Sequence, residues 1–147
     1  MSFKYSSSTL KKIKKLNEII ALNIYGDKMS FQDEIQRVAT EGTLGVVWLI
    51  GEDGKIYYTY GEWAVDPLVA FNAWKAQNPA VNLGGIKFTV IAISPERLIS
   101  KNMGGQGYVI VAKCTNWPGA IVAWAPATVQ MDYAYAAAAR LAAKVQG

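Results

Sequence analysis

The spacing of apolar residues changes several times along this chain, and each change marks an element. Leu10, Ile13, Leu16, Ile20 and Ile24 recur at helical intervals with lysines between them, the pattern of a basic amphipathic helix that Gly26-Asp27 would break. A second helix is predicted from Met29 or Ser30 to Glu41-Gly42-Thr43. Ser30 is a good N-cap, and Asp33 and Glu34 stand in the first turn, where the helix dipole favours anions. The period then shortens. Residues 44–50 (LGVVWLI) and 55–60 (KIYYTY) are short runs rich in β-branched and aromatic residues, and the Asp53-Gly54 pair between them is a hairpin signal, because both positions tolerate positive φ.

Asp66-Pro67 predicts the next helix start, since aspartate caps and proline suits the first turn. Leu68, Phe71 and Trp74 fall on one face, and Asn78-Pro79 ends the helix. Four further strands are predicted over 86–93, 97–101, 108–114 and 120–124, separated by turns at 103–107 and 116–119. Thr128 is read as the cap of a last helix that carries Asp132 near its start and Arg140 and Lys144 near its end. Its seven alanines between Ala134 and Ala143 favour helix and leave a smooth side for a sheet.

The predicted order is helix, two strands, helix, four strands, helix. Short connections imply antiparallel pairing, and helices must cover the apolar sheet faces, so the class is α+β. We expect an antiparallel sheet of about six strands flanked by N-terminal, middle and C-terminal helices. Residues 1–28 read as a basic extension, flexible or helical, and residues 29–147 as one domain.

Charge sharpens that division. Residues 1–28 carry six lysines against Glu18 and Asp27, which accounts for the whole net charge of +4 and leaves the rest of the chain neutral. A neutral body argues against a nucleic-acid-binding domain. There is no histidine and one cysteine, Cys114, in an apolar run. One thiol closes no internal disulfide, and missing histidines remove most zinc sites and most Ser-His or Cys-His pairs. Cys114 reads as a small buried hydrophobe. No apolar run reaches the roughly 18 residues of a membrane span, and Lys11-Lys12-Ile13-Lys14-Lys15 is not followed by a signal-peptide core, so the chain reads as cytoplasmic.

Candidate chemistry is sparse. Gly104, Gly105 and Gly107 lie between two strands, whereas a phosphate loop opens a helix. Glu52/Asp53 and Glu62/Asp66 are carboxylate pairs, but they stand at turns or helix starts, where capping explains them. Trp117, at a predicted turn tip, either folds back onto the body or belongs to a contact surface. No nucleophile, base and oxyanion donor come together. The expectation is a binding protein with no catalytic residues, cofactor or metal.

Several strings point further. Asn82-Leu83-Gly84-Gly85-Ile86-Lys87-Phe88-Thr89-Val90-Ile91 resembles the profilin signature Leu-Gly-Gly-x-Lys-Tyr-x-Val-Ile. Ile50-Gly51-Glu52-Asp53-Gly54-Lys55-Ile56-Tyr57 is similar to the first profilin hairpin, and Met29-Ser30-Phe31-Gln32 to the profilin start. Leu98-Ile99-Ser100-Lys101 with Gly104-Gly105, and Ala125-Pro126-Ala127-Thr128 before the last helix, complete a collinear series over residues 29–147. The divergent motifs and the extra N-terminus look most like profilins of Asgard archaea.

The resemblance implies a cytoskeletal protein that binds monomeric actin at its barbed face, suppressing nucleation while allowing barbed-end growth. The matching actin-facing positions are Lys87, Lys101, Tyr108, Lys113, Thr128 and Asp132. It also implies a site for proline-rich segments, matched by Phe31, Tyr57 and Leu141. Glu34 stands where the family has another aromatic, which predicts weak or altered proline binding. Phosphoinositide binding is a third implied property, to which Lys11, Lys12, Lys14 and Lys15 would add contact with an anionic surface. Two alternatives stay open from the residues alone: a PAS-like small-molecule sensor, which needs a concave apolar pocket, and a roadblock-type dimeric scaffold.

Overall fold

The computed structural model describes residues 29–146, so the readings of residues 1–28, including Lys11, Lys12, Lys14 and Lys15, lie outside the described residues. Within that span three helices, α1 (Phe31–Glu41), α2 (Leu68–Lys75) and α3 (Met131–Lys144), accompany seven strands: β1 (Val46–Gly51), β2 (Ile56–Tyr60), β3 (Ala80–Leu83), β4 (Ile86–Ser94), β5 (Arg97–Lys101), β6 (Tyr108–Lys113) and β7 (Gly119–Ala125). The strands form one antiparallel sheet in the order β2-β1-β7-β6-β5-β4-β3. The α+β expectation holds, with one more strand than predicted.

The extra strand is β3, four residues at the sheet edge. It begins directly after Pro79, a place where proline costs no ladder bond. It returns into β4 through Gly84 and Gly85, both at positive φ (58° and 78°), the backbone that a tight two-residue hairpin demands. The Gly-Gly of the signature string is therefore a turn between two strands.

Two apolar cores sandwich the sheet. On one face, Val47, Leu49, Ile110, Ile121 and Ala123 pack with Ile35 and Val38 of α1 and with Ala134, Ala138 and Leu141 of α3. On the other, Val46, Trp48, Val109, Val111, Val122 and Phe88 pack with Ala70, Phe71 and Trp74 of α2. We call these the α1/α3 face and the α2 face. The alanine row of α3 is the side that meets the sheet, as its composition predicts.

Two local readings are corrected. Thr128 does not cap α3. Pro126 O accepts from Val129 N in a turn that precedes the helix, and Gln130 occupies the cap position with no side-chain hydrogen bond. The middle helix stops at Lys75, short of Asn78-Pro79, with Gln77 at φ 55° beyond it. Asp66 does act at its start, accepting from the backbone N–H of Leu68 at 3.0 Å.

Candidate functional site

Sheet register brings most of the predicted actin-facing positions together. Thr89 of β4 pairs with Lys101 of β5, Lys101 with Tyr108 of β6, and Tyr108 with Ala125 of β7. These residues form one row across the α1/α3 face, and Lys87 lies two residues along β4 from Thr89, on the same face. With strands about 4.8 Å apart, the row from Thr89 to Ala125 spans roughly 14 Å. α3 packs over β6 and β7 and leaves that face of β4 and β5 more open. Lys87 and Lys101 are exposed and diagonal to each other, roughly 7–8 Å apart by strand geometry. No carboxylate of the described residues lies within ion-pair distance of either. Two unneutralised like charges side by side are a mild cost that an acidic partner would relieve.

Chain order carries the row into α3. Three residues beyond Ala125 stands Thr128, and Asp132 lies in the first helical turn; both are exposed, while Val129 and Met131 anchor the segment on the same core. Tyr108 is only 9% exposed and packs in the α1/α3 core, so its side chain supports the row from beneath. Lys113 does not join the patch. Strand alternation groups it with Val109 and Val111 on the α2 face, at the far end of β6 from Tyr108, beside Trp74 and Lys75.

Two features of this patch escape periodicity. The β4–β5 register shifts between Val90 and Ala92, leaving Ile91 as an extra residue, 45% exposed. A bulge of this kind re-aims a side chain, and nothing in an alternating apolar run announces it. The turn after β5 is also pinned. Asn102 Oδ1 accepts from Gly104 N at 2.9 Å and Gln106 N at 3.1 Å, and its Nδ2 donates to Lys87 O at 2.9 Å. Arg97, at the other end of β5, lies over the ring of Tyr135 at 5.4 Å.

The second predicted site is only partly assembled. Phe31 meets Tyr58 edge-to-face at 5.1 Å, and Tyr57 meets Trp117 in the same way at 5.1 Å. Tyr57 is the extra residue of a bulge opposite Leu49 and Ile50, which explains its 52% exposure. Its hydroxyl donates to Asp53; that bond and the Lys55 backbone N–H hold the Asp53 carboxyl below its usual range, and the same bond to Asp53 raises the Tyr57 phenol. Trp117 folds back over Gly119 and the α1/α3 core. Leu141 is fully buried in that core and offers nothing to a ligand, because it lies in the α3 stripe that faces the sheet. Tyr58 and Trp117 are the aromatics beside Phe31 and Tyr57. Glu34 is fully buried, with Arg140 Nε at 3.3 Å and Arg37 at 3.8 Å, so an ion pair joins α1 to α3 at the position for which the profilin resemblance implies an aromatic.

Three of the four carboxylates in the two candidate pairs have structural duties, and Glu62 has no ion-pair partner among the described residues. Glu52 pairs with Lys75 at 2.8 Å, Asp53 accepts from Tyr57, and Asp66 starts α2. Cys114 is buried and free, its thiol pushed up to about 12 by desolvation. Among the described residues, no group of three or more Cys, Asp or Glu side chains could hold a metal, and no helix is long and apolar enough to cross a membrane.

No family profile matches the chain. Curated relatives do. Heimdall profilin from Heimdallarchaeota archaeon (strain LC_2) is 41% identical over 117 residues, 78% of this chain and 96% of that protein. This chain belongs to the profilin family. Odin profilin from Odinarchaeota yellowstonii (strain LCB_4) is 37% identical over 71 residues, 48% of this profilin and 60% of its own length. Among solved structures, the LokiProfilin2/rabbit actin complex superposes with a TM-score of 0.66 at 22% identity, over 79% of this chain and 96% of the other. Acanthamoeba castellanii profilin IB gives 0.58 at 20% identity, over 71% and 86%. The profilin fold replaces the PAS-like and roadblock-type alternatives.

Proposed function

We propose that this profilin is a non-catalytic cytoplasmic protein that binds monomeric actin and restrains filament nucleation while permitting barbed-end growth. The surface is the open α1/α3 face of β4 and β5 with the start of α3: Lys87, Lys101, Thr89, Ile91, Thr128 and Asp132. The observation that carries the reading is the co-facial, unneutralised pair Lys87 and Lys101, in register with the strand row that leads to α3. Family membership supports it, as do two Loki profilins of the same fold whose structures are complexes with rabbit actin. The lysines set encounter and register with an acidic surface, and Ile91 supplies the apolar contact. A pyrene-actin assay is expected to show slower nucleation with the full chain, and Lys87→Glu is expected to weaken the effect about tenfold. Unchanged nucleation at large protein excess would remove the proposal.

A second reading concerns the Tyr57–Trp117 and Phe31–Tyr58 pairs, whose faces suit a polyproline II segment. With Leu141 buried and Glu34 engaged, binding is expected to be weak. Titration with a proline decamer should perturb Tyr57 and Trp117, and Tyr57→Ala should remove that response. Perturbation confined to other residues refutes this site.

A further inference from the structure

The α2 face carries a different surface, which the actin reading does not use. Trp63 and Trp124 meet at 6.2 Å and 61° and line a cleft of about 450 Å³ with Val46, Ile86, Glu62 and Gln106. Both indoles are held. Trp63 also lies 6.4 Å from Trp48 and 6.5 Å from Phe88, ring to ring. Trp124 donates from Nε1 to Gln106 O at 3.0 Å. Its ring lies where a Cβ on Gly45 or Gly107 would stand, 2.6 Å and 2.7 Å away, and Gly107 has φ 97° besides. The cleft is thus built into the fold.

The lining contains one carboxylate, Glu62, and no cation. No described lysine or arginine lies within ion-pair distance of Glu62. Indole faces attract cations more strongly than other aromatic rings do, and a carboxylate at the rim adds to that field. Apolar walls, in turn, suit the aliphatic stem that carries a basic head. Beyond Glu62 and Trp63 a second cleft of about 600 Å³ continues past Trp48, Thr59 and Gly61, beside the edge strand β2. A track that rounds Trp63 and runs beside an edge strand suits an extended chain more than an isolated ion.

We propose that this track binds an extended peptide segment of a partner protein through an arginine or lysine whose charged head rests on Trp63 and Trp124 and faces Glu62. The site is independent of the lysine patch, because it occupies the opposite sheet face. The test is a titration of ¹⁵N-labelled full-length protein with a blocked Gly-Arg-Gly-Arg-Gly peptide, following the indole N–H signals assigned with Trp63→Phe and Trp124→Phe. The Trp63 and Trp124 signals are expected to move, with roughly tenfold weaker binding when citrulline replaces arginine and a several-fold loss in Glu62→Gln. Glu62→Gln is expected to leave nucleation unaltered, and Lys87→Glu to leave peptide binding unaltered, so the two sites fail separately. Equal binding of the citrulline peptide, or shifts confined to other residues, overturns the proposal. Tetramethylammonium binding as tightly as the peptide also overturns it, by assigning the cleft to small cations.

Discussion

Strands β1, β7 and β6 differ in kind from β2 and β4, which lie nearer the two edges of the sheet. Every residue of β1 is buried, as is all of β7 but half-buried Trp124 and all of β6 but terminal Lys113, because helices cover both faces. β2 and β4 are mostly half-buried or exposed, and each contains a bulge that leaves one residue outside the ladder: Tyr57 in β2, Ile91 in β4. The centre has no room for variation, since every side chain there meets a packed neighbour. The flanks need only half their residues for stability, which frees the others to make contacts. The two surfaces proposed on the α1/α3 face take Ile91 and Tyr57 from these bulges, and the second cleft of the indole track opens beside β2.

This contrast can be broken most directly with one residue type. Ile121→Ala, in fully buried β7, is expected to cost about 2–5 kcal/mol by chemical denaturation. Ile91→Ala, at the β4 bulge, is expected to cost less than about 1 kcal/mol. Similar costs at the two sites would show that the flank is as tightly packed as the centre. A smaller, pH-dependent effect sharpens the same point. Cys114 follows β6 into the core, and its folded thiol titrates near 12 against an ordinary value of about 9. A raised acid leaves stability untouched below the unfolded value. Above it the unfolded chain releases its proton first, so stability falls as pH rises towards 12, by up to about 1.4 kcal/mol per unit. Denaturation of wild type and Cys114→Ala between pH 7.5 and 10.5 should show the steeper decline in wild type. Parallel curves would place the thiol in contact with water.

The centre was the legible half. Runs such as VVWLI and YVIVAKC announce doubly covered strands, and Asp53-Gly54 announces its hairpin, with Gly54 at φ 80°. β3 is hard to read because four residues between a proline and two glycines are too few for their alternation to stand out; pairing with β4 makes them a strand. Thr128 misled because a good capping residue is not a cap unless the next residue turns helical, and here Pro126 sets a separate turn first. The candidate site was legible in its lysines on β4 and β5. Lys113 needs the register to be placed: one step of alternation sends it to the other face. Leu141 matches the family position by alignment alone, and only the α3 stripe reveals that it points inward.

Asn102 has a consequence for association. Its amide holds the turn after β5 to the backbone of Lys87, so two neighbouring segments of the lysine surface keep one geometry before any partner arrives. Little conformational freedom is left there to surrender on docking, and the penalty for ordering has already been met by folding. At the proposed actin surface, encounters in the right orientation would then proceed without waiting for it to rearrange.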